Sequence, residues 1–521
     1  MQICPELGHL VSLRGLLPEA ELLGAADVPL SGCTCDSRKV RPGDLFIALA
    51  GSRHDGNDFI AEAIERGCAA VISEKGDRSN LCEAPSGPFR QIGPVPFSVS
   101  VPVCFVPNAR ESHARLCQAL AGNPSRQLKL IGVTGTNGKT TTTCLIAGIF
   151  KAAGYRVGVL GTLGYLDGRI VEPSTHTTPP PDRLASLLAQ MVRNGCTHAV
   201  MEVSSHALDQ SRIAGVRFDA ACVTNVTRDH LDYHGTLRDY RRAKARLFDH
   251  LADDGFVVLN ADDPGSAGFL RRLDGPVLTV GIREAAEITA TPVEQFISEQ
   301  TFLLTAGSET VPVRTPMIGT HHIYNCLTAA AVGLAHGIEL TTIVRGLEYA
   351  GQVPGRLERI ECGQPFGVFV DYAHTPDALT TVLKTLREVT AGRLICVFGA
   401  GGQRDREKRP LMGRAVEQTA DLAMLTNDNP RHEDPQAIFR DVLGGFLAPL
   451  AVEVIPDRAT AIHQALTAAH PGDCVLIAGK GHENHQIIGD QRLELDDREV
   501  ARQWLYEKVE TPMTTPRGRG G

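Results

Sequence analysis

Residues 128–153 limit the possible folds more than any other stretch of the chain. Leu128 to Val133 is an apolar run of strand length, Thr140 to Ala153 has helical spacing, and Gly135-Thr-Asn-Gly-Lys-Thr-Thr141 joins them. A strand leading through a tight glycine turn into a helix is half of a crossover unit, so the following strand is expected to lie parallel. The turn is chemical as well as topological. Gly135 and Gly138 let the amides of Thr136 and Asn137 curve around phosphate oxygens, and the helix N-terminus adds its dipole. Lys139 supplies a positive charge, Thr140 a hydroxyl suited to magnesium, and Thr141 closes the motif. The common nucleoside-triphosphatase loop has a glycine five residues before the second conserved glycine; here that position is Val133, with Gly132 one residue early. The loop therefore points to a nucleotide enzyme outside the ordinary motor and GTPase set.

The same rhythm continues on both sides. Arg156–Gly161, His198–Val203 and Ala220–Val226 read as buried strands, Leu237–Leu251 as a helix, 290–315 as hairpin strands and His321–Ala335 as a helix. Upstream, Asp44–Leu49 and Ala69–Ser73 read as strands and Asp58–Arg66 as a helix; 76–103 is a Pro-, Gly- and Ser-rich excursion, and a helix near 107–123 ends at Gly122-Asn-Pro124. Gly351-Gln-Val-Pro-Gly355 reads as a linker. Beyond it, strands at Phe366–Val370, Leu394–Phe398, Leu422–Leu425 and Cys474–Ala478 each lead into helical sequence. The expected architecture is α/β in three domains, 1–106, 107–352 and 353–521, with a low-complexity basic tail at 511–521.

Composition removes several function classes. A net charge of -8 argues against life on nucleic acid, and no apolar run approaches the length of a membrane span. The N-terminus lacks the charged and apolar regions of a signal peptide. The 14 cysteines contain no C-x-x-C pair; the only close pair is Cys33 and Cys35. They are expected to be reduced core residues of a cytoplasmic protein, with no structural zinc. The expected assembly is a monomer.

Two strand ends look like metal and carboxylate machinery. Glu202 ends a buried strand and opens Glu202-Val-Ser-Ser-His-Ala-Leu208, and His230 lies at the mouth of the next strand in Asn225-Val-Thr-Arg-Asp-His230. A carboxylate at a strand's C-terminal end beside a phosphate loop is where α/β nucleotide enzymes place a metal ligand.

With these residues in place, G-T-N-G-K-T-T after a strand resembles the loop of the Mur ligases, which build the peptide stem of the bacterial cell-wall precursor. The resemblance runs from about residue 28 to 490, across all three domains. It implies a small α/β UDP-binding domain, a central parallel-sheet ATPase domain and a C-terminal Rossmann-like domain. It also implies ATP and Mg2+, with Glu202 and His230 as magnesium ligands. Lys244 matches the lysine that many family members carry as a CO2-derived carbamate, an anionic oxygen ligand where an ammonium could not serve. Arg356 matches the arginine that reaches the phosphates from the third domain, Asp371 and His374 a motif near the nucleotide, and Asn325 the residue that contacts adenine. His321-His322 stands where the family usually has another pair.

The resemblance also locates the substrates. Cys35, Ser37 and the turn Ser52-Arg53-His54 match the UDP-binding segment. His176, Thr177, Thr178, Ser204, Gln210 and Arg212 match positions that hold UDP-N-acetylmuramoyl-dipeptide. Asp428-Asn429-Pro430-Arg431 follows a strand of the third domain, and in this family that sequence accompanies meso-diaminopimelate as the incoming amine. Arg431 can hold the far carboxylate that lysine lacks, with Arg404, Gly479 and Glu483 completing the pocket. The implied reaction activates a carboxylate as an acyl phosphate and transfers it to the amine, with Lys139, Glu202, His230, Lys244 and Arg356 as catalytic residues. The alternatives weighed are a lysine-adding Mur ligase, a folylpolyglutamate synthetase, and a non-catalytic sensor of the UDP-muropeptide. A separate UDP segment and Arg431 stand against the first two. A sensor has no need of the combined Lys139, Thr140, Glu202, His230 and Lys244.

Overall fold

The structure is a computed structural model that describes residues 9–51, 54–74 and 101–509. The chain forms two compact units, one from Met1–Gly132, Tyr155–Ala221 and Ala243–Phe256, the other from Val133–Gly154, Cys222–Arg242 and Val257–Gly521. Strands Lys129–Thr134, Phe218–Val223 and Leu251–Asn260 each begin in the first unit and end in the second.

In the first unit, a five-stranded sheet runs in the order Glu21–Leu23, Val103–Val106, Ala70–Glu74, Asp44–Ile47, Gly32–Thr34. Its last four strands pair in parallel, and Glu21–Leu23 closes the edge antiparallel. The apolar runs do not alternate with polar residues because both faces are covered. Leu45, Ile47, Ile72, Cys104 and Val106 enter one core with Leu116 of helix Ala109–Leu120, while Phe46, Val71, Val103 and Phe105 enter a second core on the opposite face. The same unit pairs Val157–Gly161 in parallel with His198–Glu202.

The second unit carries the phosphate-loop helix Lys139–Ala152, packed on helices Thr320–Ala335 and Leu340–Tyr349. An antiparallel meander, Ile288–Gln295, Gln300–Ala306 and Glu309–Thr315, supplies the expected hairpins. A six-stranded sheet follows in the order Glu358–Arg359, Gly367–Asp371, Cys474–Ala478, Leu394–Phe398, Leu422–Leu425, Glu453–Val454. All its pairings are parallel except at the Glu358–Arg359 edge. Its two faces are again both buried: Phe369, Cys396 and Leu476 pack with Leu383 and Met412, and Val370, Val397 and Ile477 with Ile462 and Ala501. In such a doubly covered sheet, ligands bind outside the carboxyl ends of the strands, here Asp371, Phe398, Leu425 and Ala478.

The expected strands and helices are present with ends shifted by up to three residues, as where Ala220–Val226 is Phe218–Val223. Expected helix Leu237–Leu251 is α-helical only over Leu237–Ala245 and tightens to a 3-10 turn over Arg246–His250. Most of the 76–103 excursion and all of the 511–521 tail lie outside the described residues. Among the described residues no helix is long and apolar enough to cross a membrane. The twelve described cysteines are free and nine are buried.

Candidate active site

The phosphate loop is built by strand Lys129–Thr134 and capped by Gly138 at the start of helix Lys139–Ala152. Gly138 has φ 82°, and a Cβ there would lie 2.5 Å from Asn325 Oδ1. Only glycine accepts both constraints. Asn325 thus packs directly on the loop and accepts a hydrogen bond from Thr142 Oγ1 at 3.2 Å. Lys139 Nζ folds back to donate to the carbonyls of Gly135 and Thr136 at 2.9 and 2.8 Å. The Thr136 hydroxyl lies 3.1 Å from Tyr240 Oη, Asn137 donates through its backbone to Asn225 Oδ1, and its side chain donates to Asp377 at 3.2 Å. Thr140 and Thr141 are buried.

Arg356 donates from Nη2 to Thr140 Oγ1 at 3.0 Å, and its guanidinium carbon stands 4.6 Å above the Tyr372 ring. This arginine lies 216 residues from Thr140 in the chain, so the fold alone brings it to the loop. Its Nε and both ring nitrogens of His322 are buried without a hydrogen-bond partner among the described residues. Buried polar atoms left this way are costly unless a ligand satisfies them. Burial pushes the Asp371 carboxyl up to about 6, against the pull of Arg356 and of the amides of Leu357 and Ala373. His374 sits below its ordinary range, first through burial and then through Lys408.

His230 adopts φ 53°, rare for a non-glycine residue, and its Nε2 lies 3.3 Å from Asp229 Oδ2. Burial would raise the Asp229 carboxyl, but His230, His374, Lys408 and Lys139 together hold it low. In the other unit, Glu202 is buried at its strand end and accepts from the Thr162 amide at 2.7 Å and hydroxyl at 3.1 Å. Lys244 is 1% exposed, an unusual fate for a lysine.

A cavity of about 1090 Å³ opens in the first unit. Of the residues matched to the UDP-linked substrate, Cys35, His176, Gln210 and Arg212 line it. Arg38, Lys39, Arg41, Arg110 and Arg212 outnumber Asp36, Asp44 and Asp182 along its wall, which suits an anionic ligand. Ser37 instead donates to Glu62 at 2.7 Å. Thr178 joins the Glu202 carbonyl at 2.9 Å to Ser204, and Thr177 lies 3.2 Å from Thr162 Oγ1. Arg212 bonds Gln210 and the Thr178 carbonyl. His54 forms the turn bond to Gly51 and meets the Phe59 ring edge-on; Ser52 and Arg53 lie outside the described residues.

The third cluster stands at the mouth of the six-stranded sheet. Arg431 is held at φ 54° by its amide to Ile487 O at 3.0 Å and by its carbonyl from Gly489 N at 2.7 Å. Its Nη1 donates to Gly402 O at 2.8 Å. Burial and then the neighbouring Arg404 lower the Arg431 pKa, while Asp428 and Glu483 pull the other way. Asn429 donates to Glu483 at 2.9 Å and accepts from Lys480 and from the Ile487 amide. Gly479 N reaches the Asp371 carbonyl at 3.0 Å, joining this cluster to the Asp371–His374 segment. Two guanidiniums beside two carboxylates fit a ligand that carries both carboxylate and ammonium groups.

Lys480, Tyr372, Asp377, Tyr240 and Thr162 were not singled out by the sequence. Lys480 lies between Gly479 and Glu483, but its complete burial follows only from the packing. Asp377 looks like an ordinary first-turn helix acid, and only folding places it 3.2 Å from Asn137 and 3.1 Å from Thr227.

The geometry is that of a nucleotide-dependent enzyme whose parts are spread over the whole chain, and comparison with known proteins gives the same class. Three family models match in order: "Mur ligase family, catalytic domain" over residues 29–117, "Mur ligase middle domain" over 133–333 and "Mur ligase, glutamate ligase domain" over 355–481. A relative from Geobacillus thermodenitrificans, named UDP-N-acetylmuramoyl-L-alanyl-D-glutamate--2,6-diaminopimelate ligase, is 44% identical over 480 residues, 91% of this chain and 94% of its own. One of the same name from Gloeobacter violaceus is 43% identical over 488 residues, covering 92% and 95%. A solved structure of a ligase so named superposes with TM-score 0.65 at 33% identity, over 96% of this chain and all of that one. The chain belongs to the Mur ligase family.

Proposed function

We propose that the chain is an ATP-dependent acid–amino-acid ligase that adds meso-diaminopimelate to the D-Glu of UDP-N-acetylmuramoyl-L-Ala-D-Glu during peptidoglycan precursor synthesis. The choice of amine rests on one observation: Arg431, with Arg404 beside it and Asp428 and Glu483 opposite. A lysine ligand lacks the far carboxylate and would leave Arg431 without that ionic partner, at a cost of a few kcal/mol.

The residues divide the work. The substrate carboxylate attacks the γ-phosphorus of ATP, the bond to the bridging oxygen breaks, and ADP leaves. The amine then attacks the acyl carbon, loses a proton, and expels inorganic phosphate as the amide forms. Lys139 and the N-terminus of helix Lys139–Ala152 offset charge on the transferring phosphoryl group. The unpartnered Arg356 Nε and His322 nitrogens support a ligand at the loop. Thr140, Glu202, His230 and Lys244 as its carbamate would hold magnesium, which supplies charge neutralisation to the phosphates. The burial of Lys244 supports its place in an enclosed ion site rather than on a helix surface. The cationic wall of the first-unit cavity supports a UDP-linked ligand there.

Domains 1–106, 107–352 and 353–521 then divide the binding of UDP substrate, ATP and amino acid. The family matches at 133–333 and 355–481 fall inside the second and third of these, while the match at 29–117 runs past residue 106. We place the enzyme in the cytoplasm as a monomer, with ATP and the nucleotide-linked precursor as its partners.

The test supplies ATP, magnesium and UDP-N-acetylmuramoyl-L-Ala-D-Glu and compares phosphate release with meso-diaminopimelate, L-lysine and no amino acid. Turnover with diaminopimelate is expected; turnover with lysine alone would make this the lysine-adding ligase, and silence with both would favour the sensor. For the carbamate, enzyme depleted of CO2 is expected to lose activity and regain it with bicarbonate, whereas Lys244→Ala is inactive with or without it. A depleted enzyme that keeps full activity would remove the carbamate.

A further inference from the structure

Helix Ala109–Leu120 carries His113 and Cys117 four residues apart, so both project from one face. Strand Gly32–Thr34 packs against that helix and brings Cys33 to the same point. One ligand atom from each of the three residues lies within 4.8 Å of the others, and all three residues are buried. The two sulfurs are 3.5 Å apart. Two thiolates on one tetrahedral zinc, each about 2.3 Å from the ion, stand about 3.8 Å apart, so little movement is needed. Cys33 and His113 also line the first-unit cavity, as do Cys35 and Asp182.

Metal binding takes the thiolate form, so an arriving cation displaces the thiol protons.

We propose that Cys33, His113 and Cys117 form a binding site for one thiophilic divalent cation of the zinc class, with its fourth coordination position facing the cavity. On binding, the thiol protons of Cys33 and Cys117 are released to solvent, so two thiolates balance the charge of the ion. The ion ties strand Gly32–Thr34 to helix Ala109–Leu120 and so stabilises the unit that holds it. A Cys2His set with one open position is the pattern of zinc sites that accept an exogenous ligand. The site does not depend on what else the cavity binds.

The test uses the full chain, reduced and freed of metal, titrated with Co2+. One equivalent is expected to produce a thiolate-to-cobalt charge-transfer band with tetrahedral ligand-field bands, and Zn2+ is expected to displace it. Cys117→Ser should weaken Co2+ binding by more than the roughly 10–100-fold that loss of even an outer-shell partner costs. Cys68→Ser, in the core on the opposite face of the sheet, should leave it unchanged. Zinc X-ray absorption on the unmutated chain needs no variant and should show two sulfurs at about 2.3 Å with nitrogen or oxygen completing the shell. An all-nitrogen and oxygen shell, or a thiolate band undiminished in Cys117→Ser, would overturn the site. So would a Cys33–Cys117 disulfide forming in air with no metal uptake after reduction, which would make the pair redox-active instead.

Discussion

The phosphate loop and the Asp428–Arg431 turn both carry charged side chains at the ends of parallel strands, yet they are constructed differently. The loop is local: Lys139 folds onto the carbonyls of Gly135 and Thr136, four and three residues away. The turn is assembled from distant pieces. Arg431 is fixed by Ile487, Gly489 and Gly402, and Asn429 by Lys480 and Glu483. Phosphate is the same group in every nucleotide, so a short backbone cradle recognises it. An amino acid that must be told from its near relatives needs charges placed at two separated points, and one short segment cannot supply them.

The sharpest break of this comparison is at Lys139. Lys139→Ala should lower kcat by about 10³-fold, since it removes charge stabilisation used mainly in phosphoryl transfer. Diaminopimelate binding, measured separately by calorimetry, should hardly change. An equal loss in both would mean that the two regions are not independent.

In the turn, Lys480 is fully buried and meets Glu483 Oε2 and Asn429 Oδ1, each at 3.2 Å. Glu483→Leu leaves that ammonium without its counter-charge and should cost about 3 kcal/mol in urea unfolding, the lower end for a broken buried pair because Glu483 is partly exposed. A change within 0.5 kcal/mol, the size of an ordinary surface substitution, would show that Lys480 is held by packing alone.

Arg431→Lys is milder. It keeps the charge and loses the planar fork, and should raise the diaminopimelate KM about 30-fold, or about 2 kcal/mol, with kcat within a few-fold. An unchanged KM would take Arg431 out of the pocket.

The smallest effect concerns Asp371, which lies between the two regions through Gly479. Its carboxyl is raised to about 6 by burial. The folded state therefore favours the protonated form. That stability is complete below the unfolded value and is lost as pH rises through the folded one. Between about pH 4.5 and about pH 7 the loss should be a little under 2 kcal/mol, and Asp371→Asn should remove it from the pH profile of the urea midpoint. A profile that keeps its slope in the variant would assign it to other groups.

Much of the fold was legible because each unit is locally consistent. The strands at Leu394–Phe398, Leu422–Leu425 and Cys474–Ala478 have the expected bounds, since unbroken apolar runs between turn residues have few alternatives. The 3-10 turn at Arg246–His250 was not legible, because its apolar spacing suits either helix type over so few residues. Motif residues were found wherever glycine, lysine or arginine stood in a distinctive order. Residues with ordinary neighbours, such as Tyr240 and Thr162, gave no such sign.

The sequence by itself determined the α/β class, the family and the short motifs, because apolar period, glycine turns and charged triplets are local properties of the chain. Only the tertiary structure decided that Arg356 meets Thr140 across 216 residues, that Lys480 is buried beside Asn429, and that Cys33 meets Cys117 across 84. Those pairings depend on which strand lies beside which and on what the packed core leaves no room to expose, and no short window of sequence contains either.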